Sequence, residues 1–330
     1  MNSIIKKILM NNVFPGNRKY LLFLCVLLII IGLVLFFLIP RDPCNPPPPH
    51  TTIVTIPEHW LEYSPGLTDL ISHISESEIY GSTYAMQNFS TRQYPSSGNK
   101  QAADYLNARL SRIPGLERAD QNASGQNVIA ILPGIDPSSD KVFVVGAHFD
   151  SESSDPEAPG ATDNGCGVAI VLELAREMSR HTFNHTIYFA FWNAEEADKE
   201  GSRDFVSYAA KNSLDIPLYF NFDSACYDPD NQYSLDIMFD DESRPIAELM
   251  TYYNSLYDIN LSLTYNRYDC DGDHLSFHQC GYPVVMTHSP LHPPENHTRY
   301  DTIALISPNF AKKNAQLGML VLARAAELQP

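Results

Sequence analysis

Apolar residues in this chain fall into short unbroken runs that stop abruptly on charged side chains. Lys141 to Ala147 carries β-branched valines and a phenylalanine, which predicts a buried strand, and it ends on His148 and Asp150. After a loop of acidic and small residues and Asp163, the positions Val168, Val171, Leu172, Ala175 and Met178 recur at helix spacing, with Ile170 and Leu174 filling a second face. A helix apolar on two faces is predicted to be buried. Thr186 to Trp192 reads as a second buried strand and runs into Glu195 and Glu196; Pro217 to Asp223 reads as a third and ends on its own carboxylate.

Around these runs the pattern predicts helices at Leu67–Ile74, Lys100–Ile113, Ser202–Ala210, Pro245–Tyr257 and Asn309–Leu328, and strands at Asn127–Leu132 and Pro283–Thr287. That order predicts an α/β domain with a mixed, mainly parallel central sheet and helices on both faces. There is no internal repeat. Before the domain, Leu21 to Ile39 is apolar throughout except for Gly32, and about 19 residues at roughly 1.5 Å rise approach the thickness of a bilayer core. Lys6, Lys7, Arg18 and Lys19 precede it, so the positive-inside rule predicts a signal anchor. The expectation is a single-pass type II membrane protein, its globular domain outside the cytoplasm. Residues 1–19 are then cytoplasmic, 20–40 span the membrane, 41–56 form a Pro-rich linker, and 57–330 form the globular domain.

Composition adds charge to this picture. The 330 residues are 44% hydrophobic, and the formal net charge is −17. Removing the first 45 residues (five Lys/Arg, one Asp) leaves 17 basic against 38 acidic side chains, a net −21. Such a body repels nucleic acid and anionic lipid, so neither is an expected partner of the domain. Cys166 reads as a small buried thiol, while Cys270 and Cys280 are candidates for a disulfide with Cys226 as competitor. Asn-x-Ser/Thr sequons occur at Asn88, Asn122, Asn184, Asn260 and Asn296, which fits a glycoprotein.

The strand ends carry the candidate chemistry. A single His-x-Asp after a strand is more often a hydrogen-bonded loop histidine than a ligand. Here the pattern recurs: His148, Asp163, the pair Glu195–Glu196, Asp223 and the later His297 supply imidazoles and carboxylates, the donor types that suit zinc. Adjacent carboxylates are costly to bring together unless a cation or a proton lies between them.

These residues sit in motifs that resemble the two-zinc exopeptidase family of the bacterial leucyl aminopeptidases, whose relatives include glutamate carboxypeptidases and glutaminyl cyclases. The motifs are Gly146-Ala-His-Phe-Asp-Ser151, Pro159-Gly-Ala-Thr-Asp-Asn-Gly165, Ala194-Glu-Glu-Ala197 with Gly201-Ser202, Asn221-Phe-Asp223, Asp273-His274-Leu-Ser-Phe277, Gly281-Tyr-Pro283 and His297-Thr-Arg-Tyr-Asp301, in the family's order. The resemblance covers about residues 67 to 325. It implies two zinc ions per chain, held by His148, Asp163, Glu196, Asp223 and His297, with Asp163 bridging. It also implies Glu195 as general base and Asp150 as the group that orients His148. The implied activity is a membrane-anchored zinc aminopeptidase acting on the N-termini of peptides or proteins, with no further cofactor.

Two features depart from the family's pattern. Many relatives carry a tyrosine just before the last histidine, where this chain has Asn296; Tyr268 is a candidate substitute for oxyanion support, with Asp273 and His274 as pocket support. The acidic loop from Ser151 to Pro159 is also longer than in the compact bacterial members. The alternatives to an aminopeptidase are a one-zinc glutaminyl-peptide cyclotransferase, a carboxypeptidase-type relative and a non-catalytic relative. Only Asp198-Lys-Glu200 separates the Glu-Glu-Ala and Gly-Ser motifs, whereas cyclases typically carry an insertion there.

Overall fold

The computed structural model describes residues 53–119, 127–266 and 271–329. These lie in one compact unit, Pro43–Pro330; a second unit, Met1–Asp42, falls outside the described residues. The strands are β1 (Glu117–Arg118), β2 (Val128–Leu132), β3 (Val142–His148), β4 (Thr186–Trp192), β5 (Tyr219–Phe222), β6 (Ser234–Phe239), β7 (Ser262–Asn266) and β8 (Val284–His288). The helices are α1 (Pro65–Ser72), α2 (Glu76–Gln87), α3 (Ser97–Leu110), α4 (Cys166–Met178), α5 (Glu200–Lys211), α6 (Arg244–Leu256), α7 (Asp273–Gln279) and α8 (Pro308–Ala325). Ser64, Ser75 and Ser96 start the first three helices, each accepting a backbone N–H with its side-chain oxygen.

One eight-stranded sheet runs in the order β1-β2-β4-β3-β5-β8-β6-β7. The central strands β4, β3, β5 and β8 are mutually parallel, while β2 and β6 flank them antiparallel. Successive side chains of a strand point to opposite faces. Accordingly Phe143, Val145 and Ala147 of β3 belong to one hydrophobic cluster, together with α4 and α8, whereas Val142 and Val144 belong to another that contains Phe205 of α5 and Phe277 of α7. Both faces of the sheet are therefore covered by helices. Helix α4 is buried at every position except Arg176, as its two apolar faces predict.

The start of α4 sits against the end of β5 at close range. A Cβ added to Gly167 would lie 2.6 Å from the Phe222 carbonyl oxygen, so only glycine permits this approach. The Asn164 amide donates to that same carbonyl at 2.8 Å.

Two sequence expectations are corrected. Cys166 is not a free thiol but forms a disulfide with Cys226, joining the start of α4 to the segment after β5. Spacing along the chain gives no sign that these two buried residues meet. Cys280 is also disulfide-bonded, while Cys270 lies outside the described residues, as do residues 1–40 with the expected membrane span. Among the described residues no helix is long and apolar enough to cross a membrane. Even the 18-residue α8 carries Lys312, Lys313, Asn314 and Arg324. The expected single-pass, type II localisation is withdrawn on that finding.

The disulfide spans 60 residues of sequence, a loop for which chain entropy alone favours the folded state by about 4 kcal/mol. The double variant Cys166→Ser/Cys226→Ser is expected to lose roughly that much in equilibrium urea unfolding, and unchanged stability would contradict the linkage.

Candidate metal centre and active site

Because β4, β3, β5 and β8 run the same way, their carboxyl ends share one edge of the sheet, where ligand sites of open α/β sheets form. His148 is the last residue of β3, Glu195 and Glu196 follow β4, and Asp223 follows β5. Asp163 lies just before α4, and His297 arrives on the loop after β8.

Asp163 stands between the two imidazoles. Its Oδ1 is 3.2 Å from His148 Nε2, and its Oδ2 is 3.1 Å from His297 Nε2. Asp223 Oδ1 approaches His148 Nε2 at 3.4 Å, and Glu196 Oε1 approaches His297 Nε2 at 3.4 Å. The result is two His–carboxylate clusters that share one carboxylate. Donor atoms of His148, Asp163 and Asp223 lie within 4.8 Å of one another, as do those of His148, Glu195 and Glu196. Glu196 Oε1 is enclosed and has no hydrogen-bond partner among the described residues, with the His297 ring 3.4 Å away, a position that a cation would complete. Nitrogen and carboxylate donors in this mixture fit zinc.

The charges in the cluster act strongly on one another. Burial works against protonating His148, but Asp223, Asp150 and Asp163 outweigh it and raise the imidazole well above its ordinary range. Burial alone would raise Asp163; the His148 and His297 rings hold it far below the usual carboxylate range instead. His297 is raised to about 11 by Asp163 and Glu196. Glu195 is pushed up to about 9, chiefly by burial and further by Asp273, Asp223 and Glu196, against the pull of His148. Glu196 is pushed up to about 7 by burial, partly offset by His297.

The surrounding residues fix this cluster. Asp150 is fully buried; its two oxygens accept the backbone N–H groups of Glu195 and Glu196, each at 3.1 Å, and Oδ1 lies 3.5 Å from His148 Nδ1. One carboxylate thus faces the imidazole and holds both glutamates by their main chain. Asp301 accepts from Thr162 N and Oγ1 at 2.8 and 2.7 Å and from Asp163 N at 3.1 Å, joining the His297 loop to the Asp163 segment. Gly272 packs closely on Asp223 and His274: a Cβ there would stand 3.3 Å from Asp223 Oδ2 and 3.2 Å from His274 Nδ1. Asp273 and His274 are buried at the start of α7. Burial pushes the Asp273 carboxyl up to about 7 and the His274 imidazole down to about 4. Tyr268 lies outside the described residues.

Sequence reasoning missed several contributors. Arg92 is fully buried and donates to the carbonyls of Phe149 (2.7 Å), Met86 (3.1 Å), Gly160 (2.9 Å) and Pro159. It braces the turn after His148 and the approach to Asp163, and burial lowers it to about 10 against the pull of Asp301, Asp150, Asp163 and Glu196. A cavity of about 340 Å³ is lined by the cluster, and its lining also includes Met286, His288 and His292. His288 stacks on His292 with ring centroids 5.8 Å apart. Met286 and His288 lie two residues apart and so share one face of β8, and the expected strand Pro283–Thr287 stops one residue short of His288.

Residues 127–322 match the family described as peptidase family M28. The chain belongs to that family. It is 26% identical over 310 residues to leucine aminopeptidase 1 of Paracoccidioides brasiliensis (strain Pb03), covering 85% of this chain and 79% of the relative. In fold it is similar to the LapA aminopeptidase of Legionella pneumophila, with a TM-score of 0.73, 20% identity, and 84% and 79% of the two chains covered. It is also similar to BSAP, a zinc aminopeptidase from Bacillus subtilis, with a TM-score of 0.55, 27% identity, and 62% and 50% covered. In this M28 chain Arg92 is expected to be indispensable to the fold around the site. Arg92→Met should cost about 3 kcal/mol or more in urea unfolding, because it strips buried carbonyls of their donor.

Proposed function

We propose that the protein is a zinc aminopeptidase that removes N-terminal residues from peptides, with two zinc ions per chain. The observation that carries this reading is the position of Asp163, each of whose oxygens faces a different imidazole within 3.2 Å. In this reading His148, Asp163 and Asp223 hold one ion, and His297, Asp163 and Glu196 hold the other. Zinc, when bound, supplies Lewis acidity that acidifies water and polarises a carbonyl oxygen.

The remaining work falls to the protein's own side chains. Glu195 is the general base: it takes a proton on its carboxylate and later delivers it to the leaving amine. Burial and the acidic groups around it raise its affinity for a proton, and divalent cations beside it would oppose them and favour the carboxylate form that a base requires. Asp150 holds the two adjacent glutamates by their N–H groups, so Glu195 and Glu196 are kept in fixed relation while performing different tasks. It also faces His148 Nδ1, directing Nε2 towards Asp163 and Asp223.

The test separates the paired glutamates. Glu195→Gln is expected to retain two zinc ions while turnover on aminoacyl-arylamides falls by about 10²–10⁴-fold. Glu196→Gln is expected to weaken one zinc ion, with activity partly restored by excess zinc. Near-normal rates in both variants would sink the reading. One zinc at saturation, with pyroglutamate formed from N-terminal glutamine, would make the protein a cyclase.

A pH dependence follows from the same geometry. In protein stripped by a chelator, His297 is raised to about 11 by Asp163 and Glu196, so near neutral pH it carries a proton that zinc must displace. Apparent zinc affinity is therefore expected to rise with pH across the neutral range, by about tenfold per unit for each proton displaced. Calorimetry in buffers of different ionisation enthalpy should register proton release; uptake without release would contradict the role of His297.

A further inference from the structure

The loop 151–159 carries three acidic side chains, Glu152, Asp155 and Glu157, to which the reading above gives no task. Glu152 lies two residues beyond Asp150. One of its carboxylate oxygens, one of Glu196 and a ring nitrogen of His297 lie within 4.8 Å of one another. The side chain is exposed, and among the described residues no hydrogen bond or ion pair holds it.

The loop that carries it, by contrast, is fastened to the His297 loop by backbone and side chain. Ser154 N–H donates to the His297 carbonyl at 3.1 Å, Arg299 N–H donates to Asp155 Oδ2 at 3.0 Å, and Arg299 Nη1 lies 3.6 Å from Glu157. At the loop's base Ser151 Oγ donates to the Ala158 carbonyl at 2.8 Å and accepts Arg92 N–H at 3.1 Å. The length of this acidic loop thus serves to join the end of β3 to the His297 turn, and in doing so it carries Glu152 to the outer half of the cluster. A carboxylate held beside Glu196 gains nothing from its anionic neighbour, whereas a divalent cation between them would attract both.

We infer that Glu152 is a further ligand for the divalent metal held by His297, Asp163 and Glu196, an inference that rests on the zinc reading proposed above. The two metal positions are then unequal. The inner one has one imidazole and two carboxylates. The outer one has one imidazole and three, the four protein donors that zinc takes in closed sites. Exposed and otherwise unbonded, Glu152 is the donor of this set that can swing aside when a substrate oxygen arrives.

Zinc affinities measured by chelator competition in the full-length protein test the inference directly. Glu152→Gln is expected to weaken one of the two ions by at least the 10–100-fold that loss of an outer partner produces, and to leave the other unchanged. Metal-stripped wild type and variant should unfold at the same temperature, because among the described residues Glu152 makes no hydrogen bond or ion pair; this separates lost ligation from damaged folding. His297→Ala serves as the control for the underlying reading. If His297→Ala loses an ion while Glu152→Gln binds both as tightly as wild type, Glu152 is not a ligand and the zinc reading stands. If Glu152→Gln keeps both affinities but raises KM, the carboxylate anchors the substrate's ammonium group and the inference is overturned. If neither variant changes zinc binding, the zinc reading itself fails.

Discussion

Asp163, Asp223, Glu195 and Glu196 lie close together in a largely buried space, and carboxylates placed so closely repel one another unless positive charge or protons come between them. Everything else at this end of the molecule answers that repulsion. The rings of His148 and His297 stand against both oxygens of Asp163. Backbone N–H groups are directed at Asp150 and Asp301, so these two acids are satisfied by neutral donors rather than by further charge. Arg92 contributes a buried cation whose hydrogen bonds go to carbonyls, leaving its charge to act at longer range.

The sheet makes this concentration of charge mechanically feasible. Four parallel strands deliver their ends to one edge while apolar residues on both faces keep the strands in register. Cross-links then join the segments that leave those ends: Cys166–Cys226 ties the start of α4 to the chain beyond Asp223, and Asp301 ties the His297 loop to Thr162 and Asp163. The loops that carry the clustered histidines and carboxylates are thereby held between fixed points.

The parts of this arrangement that could be read in the sequence are those with a local signature. Thr186–Trp192 is a strand from the first residue of its apolar run to the last, and Cys166–Met178 is the buried helix that its two apolar faces require. Helix α2 went unread because its buried face mixes Ile79 and Met86 with Ser82 and Thr83, and β7 because it is largely exposed. The five residues named as metal ligands meet in space, though their proximity in the fold was implied by family resemblance and not by their spacing. Arg92 and the pairing of Cys166 with Cys226 left no trace, since carbonyl acceptors have no sequence signature and a long-range pairing depends on the completed fold.

The side chains facing one another at the cluster come from segments as far apart as residues 148 and 297, and Asp301 closes the arrangement from beyond the last of them. A nascent chain shorter than this holds the inner imidazole and most of the carboxylates but not the outer half. On the proposed zinc reading, hydrolytic competence is deferred until the loop that carries His297 and Asp301 has been made and docked against Thr162 and Asp163. On that same reading, an unfinished copy lacks the outer half of the site and is kept from attacking its neighbours.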